Sequence, residues 1–71
     1  MKAHEWLEAF AEEIGAAAPD EETVGELLEL AATAAHSSER IAAPIACFMA
    51  GRDGRSPAEL RAAADRVAER S

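Results

Sequence analysis

The stretch "AAHSSERIAAPIACFMAG", residues 34–51, passes from an alanine-rich helical pattern through five polar positions into ten residues with scarcely a polar atom on any side. A helix that is apolar all the way round is ordinarily buried in the middle of a fold, so residues 41–50 read as the hub of this one. Pro44 has no amide hydrogen and would interrupt a helix interior, yet it is accommodated in a first turn. The third helix therefore starts near Arg40 or Ile41. The polar cluster before it becomes a corner between two helices.

Working outward from that hub, residues 3–17 place Trp6, Leu7, Phe10 and Ile14 on one helical stripe, with Glu5, Glu8, Glu12 and Glu13 largely opposite. Gly15, or the break "AAAPDEE", ends this helix. Pro19 disfavours helix at Ala18, and Asp20 is placed to cap a second helix whose first turn carries Glu21 and Glu22. Val24, Leu27, Leu28, Ala31 and Ala35 recur there at helical spacing, widened by Leu30 and Ala34. "GRDG" stops the third helix. "SPAE" opens a fourth, with Ser56 as cap, Pro57 at the first helical position and Glu59 completing a capping box. Leu60, Ala63, Ala64 and Val67 form its apolar stripe, and Arg52, Arg55, Arg61, Arg66 and Arg70 are expected to face the carboxylates of the first two helices. The expected architecture is all-α: one compact four-helix domain spanning residues 1–71, with helices at about 3–17, 21–36, 40–51 and 57–70 and a central apolar third helix.

Composition limits how well such a domain stands alone. A chain of 71 residues buries only about 60% of the surface it exposes when unfolded. Nineteen of those residues are alanine, which favours helix but removes little apolar area from water. A monomer is marginal, and a protein partner, with a second copy of the chain among the options, would supply what the core lacks. The formal net charge is −7, with nine acids and one base in residues 1–30 against five arginines and four acids from position 52 on. Nucleic acid binding requires a basic face, and none forms here. Residues 41–50 span about half the length a bilayer crossing needs, and the acidic start lacks the regions of a signal peptide. The expectation is a cytoplasmic protein with neither nucleic acid nor membrane as partner. The lone Cys47 lies in the apolar run and reads as a small buried hydrophobe rather than a reactive thiol.

Catalytic chemistry finds little to work with. "GRDGRS" has neither the lysine nor the strand context of a phosphate-binding loop. His4, His36 and Cys47 are too few and too scattered for a structural zinc site, so no metal and no cofactor are expected. The glutamates of the first helix lie on a solvated face where nothing excludes water. The Ser37-Ser38 pair invites comparison with acyl carrier proteins, but neither serine stands in the Asp-Ser-Leu setting that carries their cofactor. No nucleophile, base or catalytic site can be assembled, and an independent enzyme ranks last. The corner remains, with His36, Glu39, Arg40 and Pro44 as candidate ligand- or partner-binding residues. In one reading it is architecture: His36 near the last carbonyls of the second helix, Ser37 or Ser38 capping the third. In the other, the amides of a helix N-terminus and the side chains of His36, Glu39 and Arg40 receive an anion.

The segments "EWLEAFAEEIG", "LLELAATAAHSSERIAAPIACFMAG" and "SPAELRAAADRVAE" together resemble a small uncharacterised bacterial family of helical domains. Its members show a tryptophan-led helix, an Ala-His followed three residues later by Glu-Arg, and an Ala-Pro opening an apolar helix that ends in glycine. His36, Glu39, Arg40, Ala43 and Pro44 carry the most specific part of the likeness, which extends over nearly the whole chain. The chain departs from the pattern at Ile41, where members often have a second proline, and in its short loop before the last helix. Such domains occur alone or attached to proteins that look like molybdenum-cofactor nucleotidyltransferases, and are sometimes labelled molybdopterin-guanine dinucleotide biosynthesis proteins. The resemblance implies an accessory role, since the chain has no nucleotide-binding domain of its own. The functional expectation is a noncatalytic accessory or protein-interaction module associated with molybdenum-cofactor biosynthesis. The alternative is a binder of small anions or nucleotides at the His36, Glu39 and Arg40 corner, and an acyl-carrier-like protein stands behind both.

Overall fold

The computed structural model describes residues 1–70. Among them are four α-helices and no strand: α1 (Ala3–Ile14), α2 (Glu21–Ser37), α3 (Ala42–Asp53) and α4 (Pro57–Arg70). The all-α expectation holds, and the helix ends explain themselves locally. The Lys2 N–H donates to Glu5 Oε1 (2.8 Å) at the start of α1. The chain leaves that helix through Gly15 at φ 71°, with the Gly15 N–H bonded to the Glu12 carbonyl (3.2 Å) and the Ala16 N–H to that of Ala11 (2.8 Å). This is a Schellman closure, which favours glycine at the left-handed position. Helix α1 therefore stops at Ile14, three residues short of the expected 17.

Asp20 caps α2 as expected, its Oδ1 accepting from the Thr23 N–H at 2.8 Å. Ser56 and Glu59 form the expected reciprocal box: the Glu59 N–H donates to Ser56 Oγ (3.2 Å) and the Ser56 N–H to Glu59 Oε1 (3.1 Å). Between α3 and α4, Arg55 grips Asp53 with two side-chain bonds, Nε–H to Oδ1 at 2.7 Å and an Nη2–H to Oδ2 at 2.9 Å.

These three carboxylates give stability an acid dependence. The Arg55 side chain, then its backbone N–H, holds Asp53 at about 2, below the ordinary 3.8. The Thr23 backbone N–H lowers Asp20, and the Ser56 backbone N–H lowers Glu59 from 4.5. A carboxylate held below its unfolded value stabilises the fold fully above that value and ceases to as pH falls through the folded one. The urea midpoint is expected to drop between pH 4.5 and pH 2, and to drop less in Asp53→Asn. Equal acid sensitivity in the two proteins would show that the Asp53 clasp contributes nothing.

The centre of the fold lies elsewhere than residues 41–50 suggest. Helix α2 packs against α3 on one side and against α4 on another, and these are the extensive helix contacts among the described residues. Its central residue Leu30 is 4% exposed, and the other buried hydrophobic residues are Ala11 and Ala50. Helix α3 touches α2 along one side only and turns Ile41, Ile45, Phe48 and Met49 to solvent, each more than three-fifths exposed. An all-round apolar helix is buried only if neighbours cover every side, and α3 has one extensive neighbour. Helix α1, which would have been the missing cover, packs extensively on none of the other three. The domain is elongated as a result, with extents of 38 × 24 × 18 Å.

Polar contacts cement the α2–α4 seam. Arg61 Nε lies 2.8 Å from Glu26 Oε2, a charge contact without an aligned N–H···O bond. The Thr33 hydroxyl donates to Asp65 Oδ1 at 3.3 Å. Among the described residues, Arg61 is the one of the five arginines from position 52 on that pairs with a carboxylate of another helix; Arg55 pairs within its own loop, and Arg52 lies over the Phe48 ring at 5.5 Å. Cys47 is half-buried, with its thiol 4.0 Å from the Leu27 carbonyl.

Candidate functional site

The corner between α2 and α3 is built as follows. Ser37 is the last residue of α2, and its hydroxyl donates back to the Thr33 carbonyl at 2.7 Å. Neither serine caps α3; that position falls to Ile41, which is already helical and offers no side-chain bond. The first amides of α3 are instead taken up by the turn before it. The Ala42 N–H donates to the Glu39 carbonyl (2.9 Å) and the Ala43 N–H to the Arg40 carbonyl (3.2 Å). Pro44, the third residue of the helix, has no N–H to offer. Placing proline there removes a donor that would otherwise lack a partner, which is why the first turn tolerates it.

His36, Glu39, Arg40 and Pro44 are all exposed. His36 lines a shallow hollow between α2 and α4 together with Glu29, Thr33 and Asp65, whereas Glu39, Arg40 and Pro44 do not line it. The structure thus does not gather the four candidates into one pocket. The carboxylates of Glu29 and Asp65 make the hollow beside His36 a poor seat for an anion.

A second hollow, between α3 and α4, is apolar. Leu30 of α2 forms its floor, Ala46, Met49 and Ala50 one wall, and Leu60, Ala63, Ala64 and Val67 the other, and the paired Asp53 and Arg55 also line it. Its volume is about 280 Å³ and it is widely open, at the lower limit of what a small-molecule site encloses. Sequence reasoning assigned these residues to a closed core. Their alanines carry the missed signal, since four small side chains facing one another leave a channel unless something large is laid between them.

The apolar surface continues beyond this hollow. Ile41 at the N-cap of α3 and Ile45 and Phe48 within it recur at helical spacing and are exposed. On α1, Trp6 and Phe10 stack with ring centroids 5.1 Å apart and an interplanar angle of 17°, and with Leu7 and Ile14 they remain 40–58% exposed. Among the described residues no cluster of His, Cys, Asp and Glu side chains is placed to hold a metal ion, and no helix is long and apolar enough to cross a membrane.

The model of a domain of unknown function, DUF6457, matches residues 1–71. The chain belongs to this family. No curated protein and no solved structure matches the chain. The likeness to an uncharacterised family of small domains is therefore correct at the level of the family. In this DUF6457 domain the segment from His36 to Pro44 forms a tight, internally bonded corner, and the large unsatisfied surface lies on α1, α3 and the hollow beside α4.

Proposed function

We propose that this domain is a noncatalytic accessory module that works by binding a protein. The observation that carries this reading is the outer side of α3, where Ile45 and Phe48 are 61% and 64% exposed in a chain of net charge −7. Contiguous apolar surface of this kind on a small domain marks an interaction site. Aromatic and large aliphatic side chains are the anchors that dominate interface energetics, and Phe48 with Arg52 over its ring combines two favoured residue types. A cytoplasmic setting and a role in molybdenum-cofactor biosynthesis complete the proposal. The support for the cofactor role is the pattern of residues 36–44 and the family resemblance it carries. The anion-binding alternative at His36, Glu39 and Arg40 has less support, because the Ala42 and Ala43 amides it would use are already bonded.

The test is affinity capture with the full chain beside the double variant Ile45→Glu, Phe48→Glu, followed by quantification of the proteins retained. The variant is expected to keep its helical circular dichroism, since both side chains are exposed, and to retain at least tenfold less of whatever the parent chain binds. This is the order expected for losing a central anchor. A parent chain that binds no protein, itself included, would sink the proposal, as would a variant that captures as well as the parent.

A further inference from the structure

The open hollow and the unseated α1 are complementary, and we infer that α1 of a second copy of this chain lies in the hollow between α3 and α4, reciprocally, to form a dimer. This inference goes beyond the interaction-module reading: it concerns a second surface, the hollow, which Ile45 and Phe48 do not line. Three observations carry it.

The first is area. A folded monomer of 7.5 kDa exposes about 4,200 Å², whereas this chain exposes 5638 Å². The excess of about 1,400 Å² per chain falls within what each subunit gives up in an obligate dimer, whose interfaces bury roughly 2,000–5,000 Å² in total.

The second is shape. Helix α1 presents large groups, Trp6, Leu7, Phe10 and Ile14, and the hollow presents small ones, Ala46, Ala50, Ala63 and Ala64, over Leu30. Large groups seat between small ones, as ridges do in grooves. A helix of 12 residues is marginal in water without a surface to pack on, so α1 requires such a seat. Its own chain buries Ala11 but leaves Trp6, Leu7, Phe10 and Ile14 40–58% exposed. The Gly15 closure and the Asp20 cap fix both ends of the short link from α1 to α2, and the hollow has no α1 residue in its lining.

The third is charge. Helix α1 carries Glu5, Glu8, Glu12 and Glu13. Arg66 and Arg70, one helical step from Ala63 and Val67 of the wall, are exposed. Glu69 stands beside them, and Asp53 and Arg55 line the hollow, so the acidic flank of an incoming α1 meets an edge of mixed charge whose free cations are Arg66 and Arg70. A second α1 laid along the first would instead meet like charge.

The experiment is sedimentation equilibrium of the full chain over a dilution series, with Trp6, the single tryptophan, as a fluorescent reporter. The expected result is a dimer whose tryptophan emission shifts to the red as dilution dissociates it. Phe10→Glu on the helix and Ala64→Glu in the wall are each expected to raise the dissociation constant on the order of a hundredfold while leaving helical circular dichroism in place. Mixing the two variants is expected to restore association in part, because one of the two seats then joins an intact α1 to an intact hollow while the other carries both glutamates. A chain that stays monomeric at every concentration overturns the inference, whether its Trp6 is solvated or seated in its own hollow. So does a dimer indifferent to both substitutions. A monomer that still captures another protein through Ile45 and Phe48 overturns the self-pairing alone; a monomer that captures nothing removes the module reading as well.

Discussion

Replacing Leu30 by alanine is expected to remove about 2 to 4 kcal/mol of folding stability, the range for deleting most of a buried leucine side chain. Leu30 is 4% exposed and is the largest of the buried hydrophobic residues, so no neighbouring group can take over its role. The cost stays below the upper limit for such substitutions because Leu30 also floors an open hollow, and the space left behind joins that hollow instead of forming a sealed void. For a domain of this size, whose whole stability is roughly 4 to 10 kcal/mol, the loss is a large fraction. With a denaturant slope of about 1 kcal/mol per molar urea, the midpoint falls by 2 M or more. A decrease under about 0.5 M would mean that α2 does not hold the fold together.

That α2, and not α3, occupies this position shows where reading the residues alone succeeds and where it stops. The caps at Asp20 and at Ser56 with Glu59 were legible because each is a contact between residues three apart, and such geometry follows from local chain order. The stop at Gly15 was legible only as one of two candidates, beside the "AAAPDEE" break, and the expected helix ran on to 17. Which helix lies in the middle is a question about contacts between distant residues. Residues 41–50 have no polar side to exclude from the interior, which makes a buried position permissible without making it necessary. Helix α2 carries glutamates and a threonine at positions that pattern reading assigns to solvent, yet Glu26 and Thr33 lie in the seam with α4, facing Arg61 and Asp65. Polar residues that find partners across a helix contact are invisible to a count of apolar positions.

The corner at residues 36–44 was conspicuous for its polar side chains, but much of its structure is backbone. The bonds from Ala42 and Ala43 to the Glu39 and Arg40 carbonyls tie the turn together without using the imidazole, carboxylate or guanidinium that draw attention in the sequence. What distinguishes the corner physically is the missing amide of Pro44, which lets α3 begin without an unsatisfied donor at that point. The more consequential surface is made of alanine and leucine. Its signature is a mismatch that one residue type cannot display: small groups on the walls of a hollow, large groups left exposed on a helix without an extensive neighbour.

The same substitution, alanine to leucine, is expected to act with opposite sign at two places on α3 and α4. Ala50 also borders the hollow, but at 8% exposed it is the buried residue of α3, where a small side chain lets α2 and α3 approach closely. Leucine there forces the helices apart and is expected to cost about 1 to 3 kcal/mol, read as a lower urea midpoint. Ala63 belongs to the wall of the open hollow and is only half-buried. Leucine at 63 adds apolar contact where space already exists, so at concentrations too low for assembly it is expected to leave the midpoint unchanged or raise it by up to about 1 kcal/mol. At higher concentration the sign reverses for a second reason: the added group occupies the seat of the incoming α1, and dimerisation weakens. An Ala63→Leu chain that is less stable as a monomer would show that the hollow is already filled, and an Ala50→Leu chain of parental stability would show that the α2–α3 seam is loose. The two results together separate the part of the molecule that holds itself from the part that is built to hold another chain.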